Sequence, residues 1–359
     1  FAGFVWFNAG YWFRREELGE RHRLGWKVWS LVLGLGISTL SAWWASDRDF
    51  GSVRALPTDP TVVVITVDTL RRDHVSIHGE SPVQTPNLDA LARDGETFTD
   101  TITPLPETAP AHAALWTGLH PVRTGVLSNG HRLPRGFRTL AEALADEGYA
   151  TGAFVSSFAV DSRTGLDQGF EVYDDDFFPW IRGVSDVLVC RLVLRLVMRF
   201  GDPLTIPWLL ERAAPDTYER ALTFLEQTRD GPSLLWVHLF EPHAPYEPHG
   251  LAGFEDNGTP AEPSLDHRWI LANEEDFTYT DEVRERLRRL YQEEVAYTDQ
   301  QLGVFFEAVE ALELDRDLLI VVTADHGEML GEHGVEFNHH GLWEDVIRVP
   351  LVIVPHRVT

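Results

Sequence analysis

One cysteine, one lysine and two methionines in 359 residues leave several common designs out of reach. A lone Cys190 cannot close an intrachain disulfide, and it excludes any cysteine-rich metal site. Lys27 is the only lysine; all told, 30 basic groups face 56 acids, a formal charge of −26. The balance is uneven along the chain. Residues 1–46 hold five basic groups (Arg14, Arg15, Arg21, Arg23, Lys27) and three acids (Glu16, Glu17, Glu20), so residues 47–359 carry −28. A surface that acidic repels the phosphate backbone, and no nucleic-acid partner is expected. Solubility or a salt-rich setting explains the acidity equally well.

One apolar stretch is long enough to matter to a bilayer. "LGWKVWSLVLGLGISTLSAWWA", residues 24–45, has one charge near its start, and about 20 apolar residues span a membrane. Trp26, Trp29, Trp43 and Trp44 fall near its ends, as interfacial tryptophans do. It is read as a transmembrane helix. Residues 1–13 are too short to span alone and read as the tail of an earlier span. Four arginines and Lys27 precede 24–45 or open it, against Arg48 just beyond. That asymmetry puts residues 14–23 in the cytoplasm and residues 47 onward outside it, in the periplasm or at the cell surface. The lipid bilayer is then a partner, and membrane-protein partners are admitted. The chain opens at Phe1 and stops in "VPLVIVPHRVT", which reads as strand plus turn, so both ends look cut.

After a linker over 47–60, strand and helix patterns alternate through 61–359. "TVVVITV" (61–67), "PSLLWVHLF" (232–240) and "DLLIVVTA" (317–324) are apolar, largely β-branched runs of the kind that form buried parallel strands. "TPNLDALARDG" (85–95) and "TLAEALADEGY" (139–149) carry helix start and stop signals, the second leading into the strand "ATGAFVSS" (150–157). A long charged helix follows over 281–312. The expectation is an α/β domain with a mostly parallel central sheet and helices on both faces.

Three of those strands end in chemistry-bearing residues: Asp68 after the first, Glu241 and His243 after "PSLLWVHLF", Asp325 and His326 after "DLLIVVTA". Ligands in open α/β sheets bind beyond the carboxyl ends of the strands. Oxygen-rich ligands with one imidazole suit Mn²⁺ or Zn²⁺ better than Mg²⁺ or Ca²⁺. In "PETAPAHAALWTGLHP" (106–121), Thr108 reads as the N-cap of a helix whose first turn carries His112. Beside a divalent cation the same hydroxyl can ionise and attack an ester. The helix dipole and the N–H groups of 109–112 would favour the anionic group under attack, with His112 bonded to it.

At these residues the chain resembles the sulfatase family of the alkaline phosphatase superfamily, over roughly 60–355. The carrying stretches are "VVVITVDTLRRDH", "TPNLDALARDGETF", "TAPAHAALWTGLHPVRTGV", "TLAEALADEGYATGAFVSS", "EPHAPY", "TADHGEMLGEHG" and "HHGLWEDVIRVPLVIV". The resemblance implies metal ligands at Asp68, Asp325 and His326, with Thr108 in the nucleophile position on the metal. It implies a substrate-binding histidine at His243, and an ester-contacting one at His339 or His340.

The departures redirect the expected chemistry. Thr108-Ala109-Pro110-Ala111-His112 stands where sulfatases carry Cys-x-Pro-x-Arg, and threonine cannot yield formylglycine. Thr69 replaces a second aspartate, and "GAFVSS" (152–157) replaces the Gly-Lys-Trp-His signature. A threonine nucleophile with a membrane anchor resembles the superfamily's phosphoethanolamine and phosphoglycerol transferases and some of its phosphodiesterases. The implied enzyme forms a phospho-threonine, His339 or His340 protonates the leaving oxygen, and water or an alcohol takes the group. The substrate would be a phosphate or sulfate ester on a lipid or glycan. Two alternatives stand beside it: a sulfate-ester hydrolase without formylglycine, and a non-catalytic subunit of a membrane complex.

Other charged motifs have plainer readings. Arg71, Arg72 and Asp73 form an ion-pair turn; Glu328, Glu332 and His333 pack a polar loop rather than reach a second metal. "DDDFF" (174–178) is a solvated loop rather than a calcium site, and Asp299 caps or pairs locally. Arg191, Arg195 and Arg199 stripe an apolar helix over 187–200, which fits a membrane surface and a domain surface equally.

Overall fold

Every run read as a strand forms one. The computed structural model describes residues 59–177, 211–251, 267, 270, 277–314 and 316–356. The segment 1–13, the span 24–45, most of the linker 47–60, the stripe 187–200 and Cys190 lie outside the described residues. Among those described, no helix is long and apolar enough to cross a membrane.

Seven strands form one sheet: β1 (Thr61–Val67), β2 (Glu96–Ile102), β3 (Ala150–Val155), β4 (Val172–Asp174), β5 (Ser233–Leu239), β6 (Leu318–Ala324) and β7 (Arg348–His356). Their order is β2-β7-β6-β1-β5-β3-β4. All pairs are parallel except those of β7, which is antiparallel to β6 and β2. The principal helices are α1 (Pro86–Arg93), α2 (Thr108–Thr117), α3 (Leu140–Ala145), α4 (Ala214–Gln227) and α5 (Asp281–Ala311).

Strand alternation sorts β1 between two cores, since successive side chains point to opposite faces. Val63, Ile65 and Val67 pack with residues of α1, α4 and α5, while Val62 and Val64 pack with Ala109, Ala113 and Trp116 of α2 and Leu144 of α3. The sheet is therefore covered on both faces, which is why its central strands can be apolar throughout.

Two local readings are corrected by partners far off in sequence. Asp299 does not cap locally. Its Oδ1 accepts the Leu88 N–H at 2.8 Å and its Oδ2 the Asn87 N–H at 3.1 Å, so α5 supplies the N-terminal cap of α1. Thr85 occupies the N-cap position without capping, its hydroxyl donating to Asp89 instead. A Cβ on Gly303 would sit 2.4 Å from Asn87 Oδ1, so glycine leaves room for the Asn87 amide that Asp299 Oδ2 holds. The acidic run at 174 is not merely solvated either: Asp174 accepts Arg212 and Arg220 guanidinium N–H groups, each at 2.7 Å, tying β4 to α4.

Candidate metal and ester site

Register assembles the site. Val67 pairs with both Leu239 and Ala324, so the residues that follow β1, β5 and β6 emerge side by side at the carboxyl edge. Val62 and Val64 of β1, Leu234 and Trp236 of β5, and Leu319 and Val321 of β6 all face α2. Counting on by twos from those positions reaches Thr66 and Asp68, His238, and Thr323 and Asp325. The start of α2 lies over them.

Thr108 is the first residue of α2, not its cap; Glu107 holds the cap position. No side chain of the cap residue bonds the helix. The Ala109 N–H donates to Asn129 Oδ1 at 2.9 Å, Pro110 has no N–H, and the Ala111 N–H donates to the Glu107 carbonyl at 3.0 Å. The expected free donors for an anion are thus already engaged. What remains is the Thr108 hydroxyl, buried and 3.5 Å from His326 Nε2.

His326 is turned toward that hydroxyl by its other nitrogen. Nδ1–H donates to the Gly327 carbonyl at 3.0 Å, which leaves Nε2 as a lone pair. Gly327 is required here, since a Cβ would lie 2.1 Å from the Asp345 carbonyl oxygen. From His326 Nε2, Asp325 Oδ2 is 3.4 Å and Asp68 Oδ1 3.7 Å away. These separations are long for hydrogen bonds. Two donors bound tetrahedrally to one ion at about 2.0–2.2 Å sit roughly 3.3–3.6 Å apart, so the spacing suits a shared cation better. Asp325 Oδ1 accepts the Thr69 and His326 N–H groups at 3.2 and 2.8 Å, leaving Oδ2 for the centre. Asp68 Oδ1 and Asp325 Oδ2 have no hydrogen-bond partner among the described residues though fully buried. Buried carboxylate oxygens are seldom left so, and Asp68, Asp325 and His326 form a group able to hold a metal ion. Thr69, next after Asp68, adopts φ 53°, unusual for a β-branched residue. The Tyr291 hydroxyl holds it there, donating to the Thr69 carbonyl at 2.8 Å and accepting the Arg71 N–H at 3.0 Å.

Burial raises both carboxyls, and for Asp68 the charges of Asp325, Glu328 and Glu211 add to it. Burial holds His326 down at about 4. A cation needs its carboxylates ionised and burial favours their protonated forms, so protons and cation compete for the site. Mn²⁺ affinity measured calorimetrically should fall as pH is lowered. An affinity that does not vary with pH would contradict the raised carboxyls.

Five further histidines, in or beside the site, divide into three groups. His339 lies 4.5 Å from the His326 ring and 5.7 Å from that of His243 (centroid distances), while His340 is exposed and 5.5 Å beyond His339. His243 Nδ1–H donates to the Ala244 carbonyl at 2.6 Å; burial holds this ring at about 4 and, with His326 and His243 beside it, depresses His339 further. His112, expected to bond the ester, is instead fully buried with both nitrogens in use. Nδ1–H donates to the Thr108 carbonyl at 2.7 Å, and Nε2 accepts the Thr66 hydroxyl at 2.9 Å, which itself accepts the Trp236 indole N–H. That chain of donors fixes one neutral tautomer. The third group is His238, inside the run "LLWVHLF", whose apolar neighbours give no local sign that an imidazole is turned toward the site.

Comparison with known proteins bears on the family. A family model described as Sulfatase matches residues 60–358. The ulvan-active sulfatase of Formosa agariphila is 29% identical over 301 residues, covering 83% of this chain and 56% of that protein. The multifunctional alkaline phosphatase superfamily protein PehA of Trinickia caryophylli is 25% identical over 354 residues, covering 82% and 68%. Among solved structures, the phosphonate monoester hydrolase of Agrobacterium radiobacter shares the fold with a TM-score of 0.59 at 24% identity, over 82% of this chain and 68% of that one. Against several curated relatives the chain spans 56–63% of their length.

Proposed function

Because this chain belongs to the sulfatase family, within the alkaline phosphatase superfamily, we propose that it cleaves or transfers a phosphate-type ester. Thr108 is the attacking group, and Asp68, Asp325 and His326 hold a divalent cation, Mn²⁺ or Zn²⁺ by donor type. The observation that carries this reading is the Thr108 hydroxyl: buried, outside any helix cap, and 3.5 Å from the lone pair of His326.

A divalent cation held there would polarise the ester and favour the ionised hydroxyl. Thr108 Oγ1, its proton released to water, forms a bond to phosphorus as the bond to the leaving oxygen breaks, and that oxygen leaves with the electron pair. His339 stands between His326 and His243, its ring centroid 4.5 and 5.7 Å from theirs, so an ester held at Thr108 lies beside these rings. An anionic ester beside them raises their depressed pKa values, which lets His339 protonate the leaving oxygen. Water or an acceptor alcohol then attacks the phospho-threonine and restores the hydroxyl. His112 acts through Thr108, its Nδ1–H holding the Thr108 carbonyl. The same proposal has the domain over 61–359 outside the cytoplasm, tethered by the span over 24–45, acting on a lipid- or glycan-borne ester.

Sulfate-ester hydrolysis is the second reading, favoured by the relatives named as sulfatases. Turnover of bis-p-nitrophenyl phosphate against p-nitrophenyl sulfate by the Mn²⁺-loaded chain separates the two. Phosphodiester turnover with a transient phosphorylated chain by intact mass is expected. Sulfate turnover alone would favour the second reading, and no turnover with no bound metal would favour a non-catalytic subunit.

A further inference from the structure

Asp325 and Asp68 each aim one oxygen at the proposed cation, but they are braced differently. Asp325 turns its other oxygen to two backbone N–H groups. Asp68 turns its Oδ2 toward an imidazole: His238 Nε2 lies 3.6 Å away. His238 is 0% exposed, and neither of its ring nitrogens has a hydrogen-bond partner among the described residues. It stands on β5 opposite Thr66 of β1 and Val155 of β3, its ring centroid 5.1 Å from that of His112. A polar ring buried at the centre of a sheet with nothing to bond costs stability. The imidazole must carry at least one N–H, and the nearest carboxylate is Asp68.

We infer that His238 is a positioning residue for the cation: its Nε2–H is the brace that fixes the Asp68 carboxylate with Oδ1 toward His326. This rests on the cation site proposed above. In the structure the two groups are slightly too far apart for a hydrogen bond. Drawing Asp68 in by the few tenths of an ångström that close the bond is the adjustment expected when the carboxylate is ionised. His112 cannot serve instead, since both its nitrogens are engaged elsewhere.

Glutamine and leucine at 238 distinguish a brace from mere packing. The Gln side-chain amide can present an N–H close to the place of Nε2, whereas Leu fills similar space without a donor. Mn²⁺ affinity of the full chain, measured by calorimetry alongside apo-protein melting, is the readout. His238→Leu should bind Mn²⁺ about 10- to 100-fold more weakly, the usual loss when a bond supporting a metal ligand is removed, and His238→Gln should stay within about threefold of wild type. If the leucine variant fails to fold, His238→Asn replaces it, because its shorter amide falls near Nδ1 and should not rescue. Equal affinity in all variants, or Gln as weak as Leu, overturns the inference while leaving the cation site standing. A stoichiometry of two ions falling to one in His238→Leu also overturns it, by making His238 a ligand. Wild type that binds no Mn²⁺ or Zn²⁺ removes the cation site itself, and the inference with it.

Discussion

Thr108→Ala is expected to cut turnover of bis-p-nitrophenyl phosphate by about 10⁴-fold or more, the scale seen when a covalent nucleophile is deleted. The substitution removes little else. Thr108 caps nothing, so no helix-cap bond is lost, and the missing methyl costs about 1 kcal/mol of burial. Melting temperature and the helical signal should therefore barely change. Since Oγ1 also lies within ligand distance of His326 Nε2, Mn²⁺ should bind somewhat more weakly, and assays at saturating Mn²⁺ separate that effect from the chemical one. Thr108→Ser keeps the oxygen and should retain a tenth or more of the activity. A packing role predicts the reverse pattern: alanine active, with only a small stability loss. Alanine turning over the diester within tenfold of wild type would end the nucleophile reading.

The sheet was legible where burial was complete. β1, β5 and β6 are apolar because both their faces are covered, and no other pattern competes with such runs. β2, "ETFTDTI", was missed: it is an edge strand with most side chains exposed, so its sequence is polar and Thr-rich. β4 has three residues, too few to carry a period. The carboxylates of the site were legible because each follows a buried strand, and register then does the rest, setting Asp68 beside Asp325 through the Val67–Ala324 pairing. Thr108 reads as a cap but stands one position inside the helix, since Glu107 rarely serves as a cap and nothing local marks it. The roles of the histidines could not be read from spacing. His112 and His238 are both single histidines in apolar runs, and only the Thr66–Trp236 hydroxyl and indole decide that one is satisfied and the other is not. Asp299 likewise needed a partner more than 200 positions away.

Arg71→Ala should destabilise the domain by about 3 kcal/mol, the lower end of the loss expected when one partner of a buried ionic network is removed. All five guanidinium N–H bonds are used. Nε and Nη2 donate to Asp73 at 2.9 and 2.7 Å, Nη2 also to Asp345 at 2.9 Å, and Nη1 to the Glu328 carbonyl and Glu332 at 3.0 and 2.9 Å. The Arg71 side chain is 3% exposed, but Asp73 is 53% and Glu332 35% exposed, so water can take over part of what the carboxylates lose. Lysine, with a single point charge, should recover only part of the loss. The pH dependence has a definite sign. Burial alone would raise the carboxyls of Asp73 and Glu332; Arg71, with His74 beside Asp73, outweighs it and lowers both. Depressed carboxyls stabilise the fold above their unfolded pKa of about 4 and lose that contribution as pH falls through the lower folded values. The gap between wild type and Arg71→Ala in urea denaturation should therefore be widest above pH 5 and shrink toward pH 2–3. The network also joins the turn that follows Asp68 to the loop that follows His326, so the variant should bind Mn²⁺ more weakly even where it is fully folded. A gap below about 1 kcal/mol that does not vary with pH would mean that the five bonds merely replace equally good bonds to water.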